Sequence, residues 1–248
     1  MKSEIIYGMH AVQALLKTAP QRIHELLVVK DRNDQRVKKL LALAEKQGVK
    51  PSFTSKQELE RLCADGNHQG VAAVAKAGRA MDEKGLLDLV ANTREDPLIL
   101  VLDGVTDPHN LGACMRSADA AGVHAVVIPK DNSASLNETA RKVACGAAET
   151  VPLVVVTNLA RTLHKLQEAG LWVAGAAGEA ESDIYQADLT GPRVVVMGAE
   201  GDGMRRLTRE TCDLLVKIPM MGRVSSLNVS VATGVVLFEV LRQRQAKS

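Results

Sequence analysis

Apolar positions in the first 76 residues change period several times. "GMHAVQALLK" places its apolar side chains at helical spacing, and "IHELLVVK" reads as a strand. "QRVKKLLALAEKQG" returns to helical spacing and stops at Gly48, a residue suited to the position just past a helix end. "VKPSFT" reads as a short strand, Ser55 is placed to cap the helix "KQELERLCA", and "QGVAAVAK" is a strand again. Residues 1–76 are therefore expected to form a small α/β domain. Residues 77–96 have weak periodicity and Gly, Asp and Pro punctuation, and read as a linker containing one helix.

From residue 97 to residue 248 the pattern is more regular. "LILVLDGV", "HAVVIPK", "VPLVVV", "LWVAGAA", "RVVVMGAE" and "LLVKIPM" are apolar runs of strand length, most of them separated by amphipathic stretches. Continuous apolar strands between helices predict a parallel sheet covered on both faces. Near the C-terminus "VVLFEVLR" reads as an apolar helix that fits either a dimer interface or burial within one subunit.

Composition adds limits. The 248 residues are 46% hydrophobic and 24% charged, an ordinary globular balance, and they contain no 18-residue apolar run. The N-terminal stretch lacks the long apolar segment of a secretion signal. Cys63, Cys114, Cys145 and Cys212 are scattered without a CxxC pair, and are expected to be free buried thiols of a cytoplasmic protein. The six histidines show no ligand spacing, so no metal is expected. The net charge of +2 hides an asymmetry: residues 1–76 carry 13 Lys/Arg against 8 Asp/Glu, net +5, and residues 77–248 are net −3. The basic front half reads either as a surface for an anionic partner or as a solvated face. Aromatics are 2% of the chain, too few for a broad base-stacking platform.

Three loops follow strand ends of the expected sheet, where α/β proteins bind ligands. In "DGVTDPHNLGACMRSADAAG", Pro108 stops the strand, Asn110 opens a helix, Arg116 lies about two turns in, and Gly112 admits a neighbouring backbone. Taken alone, this loop is also a capped helix with a surface arginine. In "VVVMGAEGDGMRRL", Gly198, Gly201 and Gly203 permit positive φ and expose backbone N–H groups to a ligand, with Glu200 in the middle of the turn. No Lys-Ser/Thr follows, and the spacing is not that of a dinucleotide fingerprint. "IPMMGRVSSLNVSVATG" loads a strand-to-helix junction with Ser225, Ser226, Asn228, Ser230 and Thr233, more small polar groups than one helix cap requires.

The stretches "NLGACMRSA", "VMGAEGDGM" and "IPMMGRVSSLNVSVATG", in that order and spacing, resemble the SpoU branch of the SPOUT methyltransferases. With "YGMHAVQALL" and "HQGVAA", the whole chain is similar to members that methylate a guanosine ribose 2′-hydroxyl in 23S ribosomal RNA. The resemblance implies a trefoil-knotted α/β methyltransferase domain over residues 97–248, preceded by a ribosomal-protein-like RNA-binding domain. It implies S-adenosylmethionine as cofactor, held at Gly198, Ile218 and Leu227, and a homodimer acting on rRNA without metal or membrane. It also implies catalytic roles for Asn110, Arg116, Glu200, Ser226 and Asn228. Glu200 then orients Arg116 or the ribose, or is simply an ion-pair partner. Two other functions stay open at this point: a tRNA ribose 2′-O-methyltransferase sharing the three loops, and a catalytically silent RNA-binding assembly factor.

Overall fold

The structure, a computed structural model, describes residues 3–30, 32, 34–64, 66–78 and 80–247. It divides into two compact units. The first holds β1 (Ser3–Tyr7), α1 (Met9–Thr18), β2 (Ile23–Val29), α2 (Gln35–Lys46), β3 (Pro51–Thr54), α3 (Lys56–Leu62) and β4 (Val71–Lys76). Its strands form one sheet in the order β1-β4-β2-β3. β4 is antiparallel to both neighbours, and β2 and β3 are parallel.

Local chemistry sets the helix ends of this unit. The Asp34 carboxylate accepts from the N–H groups of Arg36 and Val37 and starts α2. Beyond its end Gly48 takes φ 70°, a conformation in which a Cβ would be strained. Ser55 accepts from Glu58 N at 3.2 Å and caps α3, as its position suggested. On one face of the sheet, Val12, Leu15 and Leu16 of α1 and Val37, Leu40 and Ala44 of α2 bury against Leu26, Val28 and Ala73. A segment distant in sequence, residues 145–150, belongs to the same unit and contains the short helix α7 (Ala147–Thr150). There Glu149 pairs with Arg22 at 3.1 Å, and a Cβ on Gly146 would stand 3.0 Å from the His10 carbonyl oxygen.

The second unit comprises residues 80–144 and 151–248. Its elements are α4 (Glu83–Asn92), β5 (Leu98–Asp103), α5 (Pro108–Ala120), β6 (Ala125–Pro129), α6 (Glu138–Ala144), β7 (Leu153–Val156), α8 (Leu159–Glu168), β8 (Trp172–Ala176), β9 (Ser182–Asp183), β10 (Arg193–Gly198), α9 (Arg206–Thr211), β11 (Leu214–Lys217) and α10 (Val229–Lys247). Among the described residues seven strands make one sheet in the order β7-β6-β5-β10-β8-β11-β9, parallel throughout. Strands β5 and β6 are buried at every position, as a sheet with both faces covered requires.

On one face, Ile99, Val101, Val194 and Val196 pack with Leu159, Leu163 and Leu166 of α8 and with Leu86 and Val90 of α4. Truncating the fully buried Leu163 to Ala would cost about 2–5 kcal/mol. The stretch read as a linker thus supplies core residues: Asp82 caps α4 through Gly85 N at 2.9 Å, and Met81 bridges Val154. α10 packs on α5 and β10 and buries Val236, Leu237 and Val240.

Several expectations need correction. Asp107, not Asn110, caps α5, accepting from His109 N at 2.9 Å, and Pro108 is the first helical residue instead of a strand stop. Of the four free cysteines, Cys63 and Cys114 are buried, Cys212 is partly buried and Cys145 is exposed. Burial pushes the Cys114 thiol up to about 11 and the Cys212 thiol up to about 12, so both stay protonated at neutral pH.

Candidate active site

At the C-terminal ends of β8, β10 and β11 lies a cleft of ≈ 420 Å³, walled by three backbone segments. The first is the end of β8, Ala176 to Glu179. The second is the turn from Met197 to Met204, and the third runs from Ile218 through Ser225, Ser226 and Leu227 into α10. It lies beyond the carboxyl ends of parallel strands, where open α/β sheets bind ligands.

The glycine-rich turn is a tight hairpin. Ala199 and Gly203 exchange backbone hydrogen bonds at 2.9 and 3.0 Å, and Glu200, Gly201 and Asp202 form the exposed tip. Gly201 and Gly203 take φ 89° and 68°, as expected. Gly198 is not among the positive-φ residues; its requirement is space. A Cβ there would overlap the Gly203 carbonyl carbon and the Met204 amide nitrogen, so only glycine lets the hairpin fold back over the end of β10. Gly112 meets the same demand on α5, where a Cβ would overlap the Ala140 carbonyl oxygen of α6 and stand 2.8 Å from Val143 Cβ.

The hairpin is tied to the sheet by a residue that strand patterning alone did not single out. Asp103 ends β5, opposite Gly198 in register, and its side chain is 0% exposed. Its carboxylate accepts from Arg205 N at 2.9 Å and from Arg205 Nε at 2.6 Å. A carboxyl group buried at the end of an apolar strand needs such a partner. The available signal was the polar residue closing "LILVLD" one position before a glycine.

The small polar residues of the third segment divide by role. Asn228 starts α10: its Oδ1 accepts from Ser230 N at 2.9 Å and Ser230 Oγ at 2.6 Å, and its carbonyl accepts from Ala232 N at 2.9 Å. Its Nδ2 donates to Asn110 Oδ1 at 3.0 Å and so joins the first and third loops. Thr233 is buried, bonds back to the Val229 carbonyl at 2.7 Å and faces Cys114 Sγ of α5 at 3.5 Å, which makes it a packing residue. Ser225 and Ser226 are exposed on the cleft wall.

Of the residues singled out from sequence, Gly198, Ile218, Leu227, Glu200 and Ser226 line the cleft, and the chain neighbours of Asn228 line it too. Asn110 is reached through Asn228. Arg116 stands exposed, six residues beyond Asn110 on α5, and is not part of the cleft wall. That spacing puts it roughly 120° around the helix and about 9 Å along it. Wall residues not anticipated include Ala177, Gly178, Glu179, Met220 and Arg209, with Glu179 and Arg209 ion-paired to each other. Among the described residues no group of three or more His, Cys, Asp or Glu side chains is placed to share a metal ion.

Comparison with known proteins agrees with this geometry. Residues 97–238 match the SpoU rRNA methylase family, and residues 5–81 match the RNA 2′-O ribose methyltransferase substrate-binding family. The 23S rRNA (guanosine-2′-O-)-methyltransferase RlmB of Photorhabdus laumondii is 61% identical over 244 residues, 98% of this chain and 100% of the other. The protein of the same name from Escherichia coli K12 is 59% identical over 242 residues, 98% of this chain and 99% of the other. The SpoU methyltransferase AviRb from Streptomyces viridochromogenes, crystallised with AdoMet, shares the fold with a TM-score of 0.79 and 24% identity. That likeness covers 98% of this chain and 91% of that one. A TrmH/SpoU tRNA-modifying enzyme of A. aeolicus is 33% identical with a TM-score of 0.56, over 65% of this chain and 82% of its own. The chain belongs to the SpoU rRNA methylase family.

Proposed function

We propose that this chain transfers a methyl group from S-adenosylmethionine to the ribose 2′-hydroxyl of a guanosine in 23S ribosomal RNA. The observation that carries the reading is the 59–61% identity, along 98% of the chain, to methyltransferases of that name. The tRNA-modifying neighbour supports a tRNA substrate less well, because its likeness covers only 65% of this chain.

The cleft suits the cofactor. Its volume lies in the usual range for small-molecule sites. Ile218, Leu227 and Val229 offer apolar wall for the adenine, and Gly198 to Gly203 bring backbone close without side chains in the way. S-adenosylmethionine supplies an electrophilic methyl on a sulfonium. Calorimetric titration tests the assignment: one site per chain is expected, and absence of binding rejects both the site and the enzyme in favour of a silent RNA binder.

The residues of the chain then have distinct tasks. Asn228 and Asn110 hold the first and third loops in register, which fixes where the ribose can sit. Ser226 presents a hydroxyl at the cleft wall, and Glu200, at the hairpin tip, orients the ribose. A guanidinium is a poor proton acceptor, so the role of Arg116 is to stabilise the developing alkoxide or its neighbouring phosphate. The position of Arg116 outside the cleft of its own subunit suits a site completed by a second copy.

The dimer would form on the outer face of α10, where Val231 is 53% and Phe238 49% exposed, seven residues apart and on one side of the helix. Light scattering at micromolar concentration should give twice the chain mass, and a monomer would reject the arrangement. Residues 1–76 would engage the RNA, and residues 97–248 would carry the chemistry in the cytoplasm, on a core to which α4 contributes Leu86 and Val90. The strand order, with β10 placed between β5 and β8, supports a trefoil knot in the second unit.

A further inference from the structure

Within the first unit, α2 and β3 enclose a groove of ≈ 660 Å³, whose wall includes Lys38, Leu41, Val49, Lys50, Pro51 and Phe53. Among the described residues β3 pairs with β2 alone, so its outer edge is open. Phe53 lies opposite Val28, which is buried in the core beneath α2, so the two project from the same face of the sheet. Unlike Val28, Phe53 is 53% exposed, in a chain with only two phenylalanines.

The charge around the groove is one-sided. Residues 35–54 contain Arg36, Lys38, Lys39, Lys46 and Lys50 against a single acid, Glu45. None of these five cations is ion-paired among the described residues. Elsewhere in the unit Arg22 pairs with Glu4 and Glu149, Arg32 with Asp34, and Lys56 with Glu60, while the other described cations, Lys17, Lys30, Arg61 and Lys76, are spread along the unit. Of the five in residues 35–54, Lys38 and Lys50 line the groove beside the exposed ring of Phe53, with Glu45 the one acid on its wall, and the other three lie on α2 outside it. An aromatic face flanked by lysines matches a base and its phosphates, since every base has a π-face and every nucleotide a negative charge.

We propose that this groove takes one unpaired nucleotide of the RNA substrate, with the base stacked on Phe53 and the flanking phosphates against Lys38 and Lys50. The proposal rests on the reading of the chain as an RNA enzyme and deepens it: recognition includes a single-stranded nucleotide, read by one ring and not by a sheet-wide platform.

The test is anisotropy titration of the full chain with a labelled 23S rRNA fragment containing an unpaired segment, repeated over a series of salt concentrations. Phe53→Ala should weaken binding roughly 5- to 150-fold, the usual range for one lost stack, and leave the salt slope unchanged. Because Phe53 is half-exposed, thermal melting should confirm an intact fold. Phe53→Trp should bind at least as tightly as wild type. Lys38→Ala with Lys50→Ala should make the slope shallower by about 1.4. Wild-type affinity in Phe53→Ala would overturn the proposal, as would an equal loss on fully duplexed RNA. Loss of chain self-association in Phe53→Ala would show the groove to be a protein interface. If the wild-type chain binds no rRNA fragment, the RNA reading itself fails and the groove assignment falls with it.

Discussion

Asn228 donates from Nδ2 to Asn110 Oδ1 at 3.0 Å while its own Oδ1 accepts from Ser230 N at 2.9 Å. The backbone N–H of Ser230 requires an acceptor, which fixes the orientation of the amide. One side chain therefore caps α10 and ties the first loop to the third. The two tasks are separable. Asn228→Asp keeps the acceptor and loses the donor, so stability should stay within about 0.5 kcal/mol while methyl transfer falls roughly tenfold or more. Asn228→Ala should lose both, with about 1 kcal/mol of stability. Denaturant unfolding beside single-turnover methylation checks this. Equal activity of Asn228→Asp and wild type would reduce Asn228 to a helix cap.

Arg116 is exposed on α5 and outside the cleft wall. If it acts on charge that develops only in the transition state, its loss appears in kcat more than in cofactor binding. Arg116→Ala should slow single-turnover methylation of an rRNA fragment roughly 10²–10³-fold. Cofactor affinity should change by less than about threefold. Arg116→Lys should recover little, because a point charge does not replace a planar fork. A wild-type rate in Arg116→Ala would make it a surface residue. Collapse of cofactor binding would make it a structural one.

The hairpin over the cleft is held in two ways, and each has its own signature. Gly198→Ala forces a Cβ into the Gly203–Met204 backbone, so it should displace the hairpin, lower the melting temperature and abolish cofactor binding. Gly201→Ala has open space but φ 89°, and should cost about 1 kcal/mol with binding retained. Asp103→Asn removes the charge from the bond to Arg205, whose side chain is 49% exposed and partly screened. It should cost about 1–2 kcal/mol and weaken cofactor binding, and calorimetry of the three variants compares them directly. Unchanged affinity in Gly198→Ala would remove the hairpin from the site.

Much of this was legible in the sequence where structure is local. Helices α1, α2 and α3 follow from apolar spacing, and Ser55 from its capping position. β1 was not read as a strand, because its pattern is short and partly exposed and its partner β4 lies about 70 residues away. A proline after a strand suggests a stop, yet Pro108 occupies the first helical position, which proline suits, and that leaves Asp107 as the cap of α5. Gly198 is required by backbone crowding, which depends on a segment folding back from five residues on. Asp103 and Arg205 are 102 residues apart, and no periodicity links them. Residues 145–150 join the first unit through contacts that span more than 120 positions. The three loops could be ordered from sequence, but the exposed position of Arg116 required the packing of α5.

The central claim is a reaction on one class of nucleotide. Its most direct test is incubation of the full chain with unmodified 23S rRNA and methyl-labelled S-adenosylmethionine, followed by mapping of hydrolysis-resistant linkages. The account predicts label at the 2′-oxygen of a guanosine in 23S rRNA, and none with Arg116→Ala over the same interval. Label on a base, label in tRNA but not in 23S rRNA, or no label from a chain that still binds cofactor would contradict it.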